Sequence, residues 1–346
     1  MKKKTIRYYL LTIIFVFPFF VFAQNKPVSP KCTECHKETN AKKFIHAPSG
    51  ESCKNCHKAN GKTHPSEAEK GFDLTEKTPQ LCYSCHDALN TKEYLHKPIK
   101  KGTCLSCHEV HSSDQKKLVA DNLPGLCLSC HSEFETVLDT PYIVHQVVKN
   151  GASCLNCHSP HQSSQPKLLL VTERDLCLQC HDKVIVTEQR SIPNIKNELD
   201  KNKYTHSAIV QNGCSGCHDP HSAARNKLLK ASFTNETYVS AKSKDNVALC
   251  FLCHNPGLLE MNKVTDSITN FRNGDVNLHF KHVNKKKGRN CVNCHGIHGA
   301  PNAFLLVDKV KFGNWDMPLK FTKTETGGKC ITACHSSKTY SRVPPK

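Results

Sequence analysis

The stretch Cys154-Leu-Asn-Cys157-His158-Ser-Pro-His161 holds the pattern that decides how this chain folds. Two cysteines are separated by two residues, a histidine follows the second, and another histidine comes three residues later. The chain has 346 residues, with 22 Cys and 22 His but only 15 Phe, 3 Met and 1 Trp. This composition offers little apolar material for a core of the expected size, so the chain must fold around something else.

The C-x-x-C-H pattern recurs along the chain and accounts for every cysteine. The eleventh copy, Cys330-Ile-Thr-Ala-Cys334-His335, is stretched by one residue. Numbered 1 to 11 in chain order, the motifs are Cys32, Cys35 and His36; Cys53, Cys56 and His57; Cys82, Cys85 and His86; Cys104, Cys107 and His108; Cys127, Cys130 and His131; Cys154, Cys157 and His158; Cys177, Cys180 and His181; Cys214, Cys217 and His218; Cys250, Cys253 and His254; Cys291, Cys294 and His295; and Cys330, Cys334 and His335.

This pattern is the attachment sequence of c-type haem: the two thiols form thioethers with the porphyrin, and the histidine binds the iron as its proximal ligand. One copy would be a weak indication, because C-x-x-C also serves zinc binding and thiol redox chemistry. Disulfides would explain an even number of cysteines, and zinc would need pairs combined into four-ligand sites. Neither explains a histidine after every pair. The sequence predicts about eleven covalently bound haem c groups, with the loading of the stretched motif 11 left open.

The remaining histidines match the number of irons that need a second axial ligand. Methionine is the usual competitor, but after the N-terminal segment only Met261 and Met317 are present. The sequence therefore predicts bis-histidine coordination. The candidate distal ligands are His46, His64, His96, His111, His145, His161, His206, His221, His279, His282 and His298.

Most of these candidates occupy repeated positions. Four of them come three residues after a proximal histidine, which leaves too little chain to travel around a porphyrin, so each should reach a different haem: His111, His161, His221 and His298. Five follow an aromatic residue and precede a motif by seven to nine residues, enough to loop over their own or an adjacent haem: His46, His96, His145, His206 and His282. His64 and His279 have no regular place.

The spacing of the motifs predicts a repeat architecture. A lead motif at 32–36 precedes two-haem units at about 44–86, 94–131, 142–181, 204–254 and 279–335. A repeated period implies units that contact mainly their neighbours. The predicted fold is a multihaem cytochrome c, mostly irregular, with short α-helices around a quasi-linear haem stack and little or no β structure. Helices are expected at 126–137, 175–181, 142–149 and 204–211.

These residues carry a resemblance to a known family. The chain resembles the doubled-CXXCH multihaem cytochromes c over almost all of its length after the N-terminal segment, and residues 154–161 are particularly close. It is less specifically similar to the periplasmic decahaem cytochromes that plug outer-membrane barrels to export electrons. That resemblance implies electron transfer and an association with a barrel. This chain has eleven motifs where the decahaem pattern has ten, and this difference argues against an association with a barrel.

The N-terminus has the pattern of a targeting segment. Lys2, Lys3, Lys4 and Arg7 precede an apolar run at 8–22, and Ala23 ends a small-residue cleavage site. The alternative is an uncleaved membrane anchor, but the run is shorter than the ~20 residues that span a bilayer. We expect residues 1–23 to be a cleaved signal peptide and 24–346 to be a single multihaem region, periplasmic or extracellular.

The charge and the ligand set together predict an electron-transfer role. The net charge is +18, and we interpret the lysines as partners of haem propionates and as solvated surface rather than as a nucleic-acid interface. Two histidines fill both axial positions, so we predict electron hopping between low-potential haems in respiratory or extracellular electron transfer, without catalysis. Expected partners are a quinol-oxidising inner-membrane or periplasmic donor and a periplasmic or outer-membrane acceptor. The alternatives are a nitrite, sulfite or hydroxylamine reductase with one open haem, and a self-assembling subunit of an extracellular cytochrome filament.

Overall fold

A computed structural model describes residues 30–138, 141–188, 190–239 and 245–343. The expected signal peptide, 1–23, lies outside these residues. The chain forms two compact units: the first comprises the residues up to His86 and Cys104–Ala120, and the second comprises Asp87–Thr103 and Asp121–Lys346. In the described ranges no helix has the length and apolar character needed to cross a bilayer.

The helices are short, four to seven residues each, and many begin at a histidine. His46, His96, His145 and His206 have extended backbone angles and act as the N-cap residues of α2, α4, α7 and α10. Proline in the first turn supports the start of α2 and α4. The helices are α1 Pro30–Cys35, α2 Ala47–Glu51, α3 Gln80–Tyr83, α4 Lys97–Lys101, α5 Gly125–Leu128, α6 Glu133–Val137, α7 Gln146–Lys149, α8 Glu173–Leu178, α9 Ile195–Lys201, α10 Ser207–Asn212, α11 Gly257–Glu260 and α12 Leu278–Val283.

Helices occur in all four ranges where the sequence predicts them, although they are shorter. The range 126–137 contains α5 and α6, and 175–181 overlaps α8. In 142–149 and 204–211 a two-residue strand precedes the helix, because the chain is extended up to the N-cap histidine.

Most strands are two or three residues long and pair antiparallel with a distant segment. The four recurrent pairs are β1–β5, β4–β7, β6–β11 and β10–β16. The strands are β1 Phe44–Ile45, β2 His57–Ala59, β3 Phe72–Leu74, β4 Tyr94–Leu95, β5 Ser112–Ser113, β6 Ile143–Val144, β7 Gln162–Ser163, β8 Ile185–Val186, β9 Ser191–Ile192, β10 Tyr204–Thr205, β11 Ser222–Ala223, β12 Tyr238–Val239, β13 Arg272–Asn273, β14 Val276–Asn277, β15 Gly288–Arg289, β16 Gly299–Ala300, β17 Lys309–Phe312, β18 Trp315–Lys323, β19 Gly327–Thr332 and β20 His335–Ser341.

The C-terminal region contains a true sheet. Strands β17, β18, β19 and β20 form a four-stranded antiparallel meander. Met317 and Leu319 are buried and alternate with exposed Pro318 and Lys320, the period expected of a strand with one solvent-facing side. The expectation of little or no β structure is therefore wrong over 309–341. The alternation that signals β18 is short and contains a proline, which is compatible with a strand only where its missing N–H is not needed.

The buried apolar side chains form small clusters, as the composition predicts. One contains Val239, Val247, Leu259 and Val283, and the other contains Val310, Met317 and Leu319 packed against Cys294 and Val307. Clusters of four and three residues are small for a chain of this length. Most of the apolar interior must therefore be supplied by something other than the side chains of the protein.

Candidate haem sites

Nine of the C-x-x-C-H segments fold so that their three functional side chains share one face. In these motifs the histidine N–H donates to the carbonyl of the first cysteine, at 2.9–3.1 Å, which closes one helical turn. Residues three and four apart lie on the same face of such a turn. The two thiols and the imidazole of these nine motifs are therefore presented together, as thioether attachment and proximal ligation require.

The first cysteines of successive motifs lie beside each other. All 22 cysteines lie in the described ranges, and none of them is in a disulfide. First cysteines are in hydrogen-bonding contact in the pairs Cys32–Cys53, Cys82–Cys104, Cys177–Cys214 and Cys250–Cys291. In the last two pairs the shared hydrogen bond lowers the pKa of Cys214 and of Cys291 to about 7. Groups attached at these thiols would be close neighbours.

The second cysteines alternate between two environments along the chain. In the odd-numbered motifs they are exposed: Cys35, Cys85, Cys130, Cys180, Cys253 and Cys334. In the even-numbered motifs they are half-buried: Cys56, Cys107, Cys157, Cys217 and Cys294. The sequence predicts the same thioether role for all of them, and the motif itself carries no signal of this difference.

A returning segment explains the burial in the even-numbered motifs. The chain folds back after each of these motifs, and a backbone N–H donates to the carbonyl of the second cysteine at 2.9–3.0 Å, as Ala120 does to Cys107 and Leu170 does to Cys157. The same bond reaches Cys56, Cys217 and Cys294. Burial raises the pKa of the Cys157 thiol, and the nearby Cys180 thiol raises it further. Each two-motif repeat therefore presents one covered and one open attachment position.

The histidines meet in pairs with a narrow range of separations. Ring centroids lie 5.9–6.5 Å apart, and the ring planes are within 26° of parallel in all but one pair. In each pair one member is the histidine of a motif and the other is a predicted distal ligand. The pairs are His36–His64, His57–His111 and His86–His46 in the first unit, and His131–His96, His158–His221, His181–His145, His254–His206, His295–His279 and His335–His282 in the second.

This separation fits an iron between two imidazoles. A metal lies about 2 Å from a histidine nitrogen, which is itself about 1 Å from the ring centre, so two rings on opposite sides of one metal have centroids about 6 Å apart. His218 and His298 also interact, since burial and, after it, the charge of His298 lower the pKa of His218. The residues present therefore fit haem iron with two axial histidines. His108 and His161 occupy the same repeat positions as the paired proximal and distal histidines, and the sequence predicts the same roles for them.

A left-handed turn orients four of the proximal histidines. The Nδ1 atoms of His108, His158, His218 and His295 lie 2.8–3.0 Å from the carbonyl oxygen of the residue nine positions later. A carbonyl only accepts, so Nδ1 carries the proton and Nε2 keeps its lone pair for a metal. The accepting residue and its successor both have φ near +60°, as at Lys167 and Leu168. Residues without glycine's freedom adopt this strained conformation where a site requires it.

The sequence predicts no role for these left-handed turns, although they position functional side chains. Three of them are the basic-apolar pairs Lys117-Leu118, Lys167-Leu168 and Lys227-Leu228, which have no unusual composition. The signal that could have found them is the constant nine-residue distance from the proximal histidine, which also holds for Lys227 and Phe304.

The distal histidines at helix N-caps are held by backbone bonds to a later segment. The backbone N–H of His46, His96, His145 and His206 donates to the carbonyl of His111, His161, His221 and His298, respectively, at 2.8–2.9 Å. The Nδ1 atoms of His46, His96 and His145 lie 2.8–3.1 Å from the carbonyl one residue before that histidine. Each of these four backbone hydrogen bonds is continued by one of the four recurrent strand pairs. Each bond therefore joins the predicted distal ligands of two different motifs.

The two irregular histidines occupy comparable positions. His64 faces His36, and a Cβ on Gly71 would lie 2.5 Å from the Cβ of His64, so glycine is needed there. His279 faces His295 from α12, whose buried Asn277 cap donates to carbonyls at the start of α11 and to that of Met261, which follows α11. His279 Nδ1 lies 3.1 Å from Thr269 Oγ1.

Motif 11 differs from the others in its backbone. Cys330 lies in β19, and His335 begins β20. The rings of His335 and His282 are 6.5 Å apart but inclined by 45°. His279 and His282 are three residues apart on α12, so one helix presents the predicted distal ligands of motifs 10 and 11.

Burial keeps the paired histidines in the neutral form that binds metals. It lowers the pKa of His145, His181, His221 and His295. The pKa of His279 falls to about 4, because of burial first and the nearby His295 ring second. A neutral imidazole has the lone pair that iron requires.

The sequence profile of the doubled CXXCH motif family matches four segments of the chain. They are residues 46–91, 96–136, 145–185 and 206–257, which together cover just over half of it. Each segment begins at one of the N-cap histidines and contains two motifs. The fold and the sites define a multihaem c-type cytochrome with covalently bound haem. The chain belongs to the doubled CXXCH motif family. A search of curated proteins returned no match.

Proposed function

We propose that the protein is an exported electron-transfer cytochrome in which eleven low-potential haems are each held between two histidines. The observation that carries the proposal is the narrow range of histidine ring separations, near 6 Å, at motifs throughout both units. Haem c, when bound, supplies a one-electron iron couple whose potential is set largely by its axial ligands.

The chain's residues would place neighbouring redox centres in chain order. Cys32 contacts Cys53, and Cys82 contacts Cys104 and lies within charge-interaction range of Cys56. In the second unit, motifs 6 to 11 are each linked to the next by thiols that contact each other or lie within charge-interaction range. The thiol pairs are Cys157 and Cys177, Cys177 and Cys214, Cys217 and Cys253, Cys250 and Cys291, and Cys294 and Cys330. Consecutive attachment sites within each unit support sequential hopping between adjacent haems.

The histidines favour electron transfer over the two alternatives. A reductase needs an iron with an open position, and a filament needs a histidine that reaches into another subunit. Ten proximal histidines have a facing or interacting histidine from the same unit, including those served by the two irregular ones. Twenty of the 22 histidines therefore have a partner histidine within their own unit.

We further propose that the protein works in the periplasm or outside the cell. The N-terminal segment and the haem attachment motifs motivate this location. Its donor would be a quinol-oxidising inner-membrane or periplasmic protein, and its acceptor a periplasmic or outer-membrane redox protein.

The deciding experiment is EPR of the oxidised holoprotein together with intact-mass determination. We expect a mass increase of eleven haems on the chain from Gln24 and only low-spin ferric signals. One high-spin ferric haem per chain would support the reductase instead, and ordered filaments in electron micrographs would support the filament. A native product without covalent haem would refute all three.

A further inference from the structure

We propose that Glu198 is a positioning residue that lowers the reduction potential of haem 8, through a hydrogen bond from its distal ligand His298. The inference rests on the proposed function. Glu198 Oε2 lies 3.2 Å from His298 Nδ1, and both side chains are about one-third exposed or less (35% and 27%). His298 in turn interacts with His218, the proximal histidine of motif 8.

Helix α9 brings this carboxylate to the site. It lies in an insertion between motifs 7 and 8 that the tidier repeats lack. The Asn194 side chain accepts from the Asn197 N–H and caps the helix. The Lys196 N–H donates to the carbonyl of His181 at 3.0 Å, and Leu199 is buried. The start of the helix is therefore fixed to the proximal ligand of motif 7.

The end of α9 is fixed to the distal segment of motif 8. Asn202 donates to the Glu198 carbonyl at 2.7 Å, and two residues later β10 pairs with β16, which directly follows His298. The His206 N–H donates to the His298 carbonyl at 2.9 Å. The backbones of Glu198 and His298 are thus held by elements on both sides.

Four of the other distal histidines have neutral hydrogen-bond partners. His46, His96 and His145 donate from Nδ1 to backbone carbonyls, and His279 lies beside a threonine hydroxyl. Asp219 is 4.0 Å from His221 Nδ1, too far for a hydrogen bond. Glu133 lies 3.3 Å from the proximal His131, but both side chains are more than half exposed, where water competes.

A carboxylate partner changes the ligand electronically. A hydrogen bond to an ionised acceptor is roughly twice as strong as a neutral one. Such a bond pulls the Nδ1 proton away from the ring and raises the basicity of a metal-bound histidine. A more basic ligand stabilises Fe(III) relative to Fe(II), so the potential of haem 8 should fall below those of haems with carbonyl-bonded ligands.

The test is a spectroelectrochemical redox titration of the holoprotein with Glu198→Gln. Glutamine keeps the acceptor oxygen but removes the charge. We expect the part of the titration that belongs to one haem, one-eleventh of the absorbance change, to move to higher potential. The reduction equilibrium of that haem should change by at least tenfold, which corresponds to 59 mV for one electron. Haem content and the low-spin EPR signals should stay unchanged.

Asp200→Asn is the matched control, because it removes the same charge from the same helix. The Asp200 carboxylate is half exposed and pairs with Lys196 on the surface. This variant should move the titration by less than a third of the Glu198→Gln shift. Equal shifts in both variants, or none in Glu198→Gln, would overturn the inference. If wild-type haem 8 proved high-spin, the proposed function would fail instead, and the EPR spectrum distinguishes these cases.

Discussion

Removal of the His279 imidazole tests whether an irregular histidine has the role of a ligand. His279 faces His295 at 6.4 Å, and its ring is packed 5.1 Å from the Phe271 ring. His282, the nearest other histidine on α12, faces His335 and is bonded at Nδ1 to the Leu278 carbonyl. It is therefore already engaged and cannot replace His279. His279→Ala should convert one iron per chain, and only one, to the high-spin ferric form.

His279→Met gives the complementary result. Methionine can fill the sixth position, and a histidine–methionine pair raises the potential of haem within a range of about 0.8 V set by axial ligands. This variant should stay fully low-spin while one-eleventh of the redox titration moves to higher potential. If the spin state is unchanged in His279→Met, the high-spin iron of His279→Ala arises from the missing ligand and not from a general loosening of α12.

The assay is quantitative EPR of the oxidised holoprotein, with Lys281→Ala as the control on the exposed side of the same helix. The control should resemble wild type. The reasoning is refuted if His279→Ala shows no high-spin iron, because then His279 is not an axial ligand. It is also refuted if high-spin iron appears at several haems, because then the residue holds the structure rather than one iron.

Three further outcomes are expected. Because the pKa of His279 is depressed from 6.5 to about 4, its contribution to stability is complete above pH 6.5 and lost as the pH falls through about 4. A bound iron would compete with the proton and lower this pH further, so the low-spin Soret band should persist through pH 6, and conversion at pH 6 would contradict this. Leu319→Ala removes a buried side chain of the C-terminal sheet and should cost about 2–5 kcal/mol in the free energy of unfolding, whereas Ile331→Ala, exposed on the same sheet, should change it by about 0.5 kcal/mol or less, as measured by thermal denaturation. The double variant Cys330→Ser/Cys334→Ser should lower the mass by one haem, and an unchanged haem count would mean that the stretched motif is not loaded.

The chemistry of the sites could be predicted from the sequence because it is local. A haem attachment motif needs only five adjacent residues, as at Cys154–His158, and a count of the remaining histidines predicts the second ligand. Helix positions near the motifs followed from the same segments. The family relationship was also recognisable from these residues alone.

The pairing of ligands could not be predicted, because it depends on contacts between distant segments. His46 precedes motif 2 but faces His86 of motif 3, since β1 pairs with β5 and directs the chain past the nearer motif. The left-handed turn at Lys167 and Leu168 has no signal in residue type, because neither residue favours positive φ. The C-terminal sheet was missed because the alternation of Met317 and Leu319 is brief.

The pairing rules explain why the two irregular histidines are needed. The histidine three residues after a motif faces a motif histidine of the preceding unit, as His111 faces His57 and His221 faces His158. The N-cap histidine faces the second motif of its own unit, as His145 faces His181. Under these rules neither motif 1 nor motif 10 receives a histidine from a regular position.

These two motifs face His279 and His64, the two histidines without a place in the repeat. The irregular residues therefore complete the pairing at the two motifs that the regular positions leave out. A longer member of the architecture would add doubled units, each bringing two motifs, one N-cap histidine and one histidine three residues after a motif. The number of histidines would then remain twice the number of motifs, as it is in this chain.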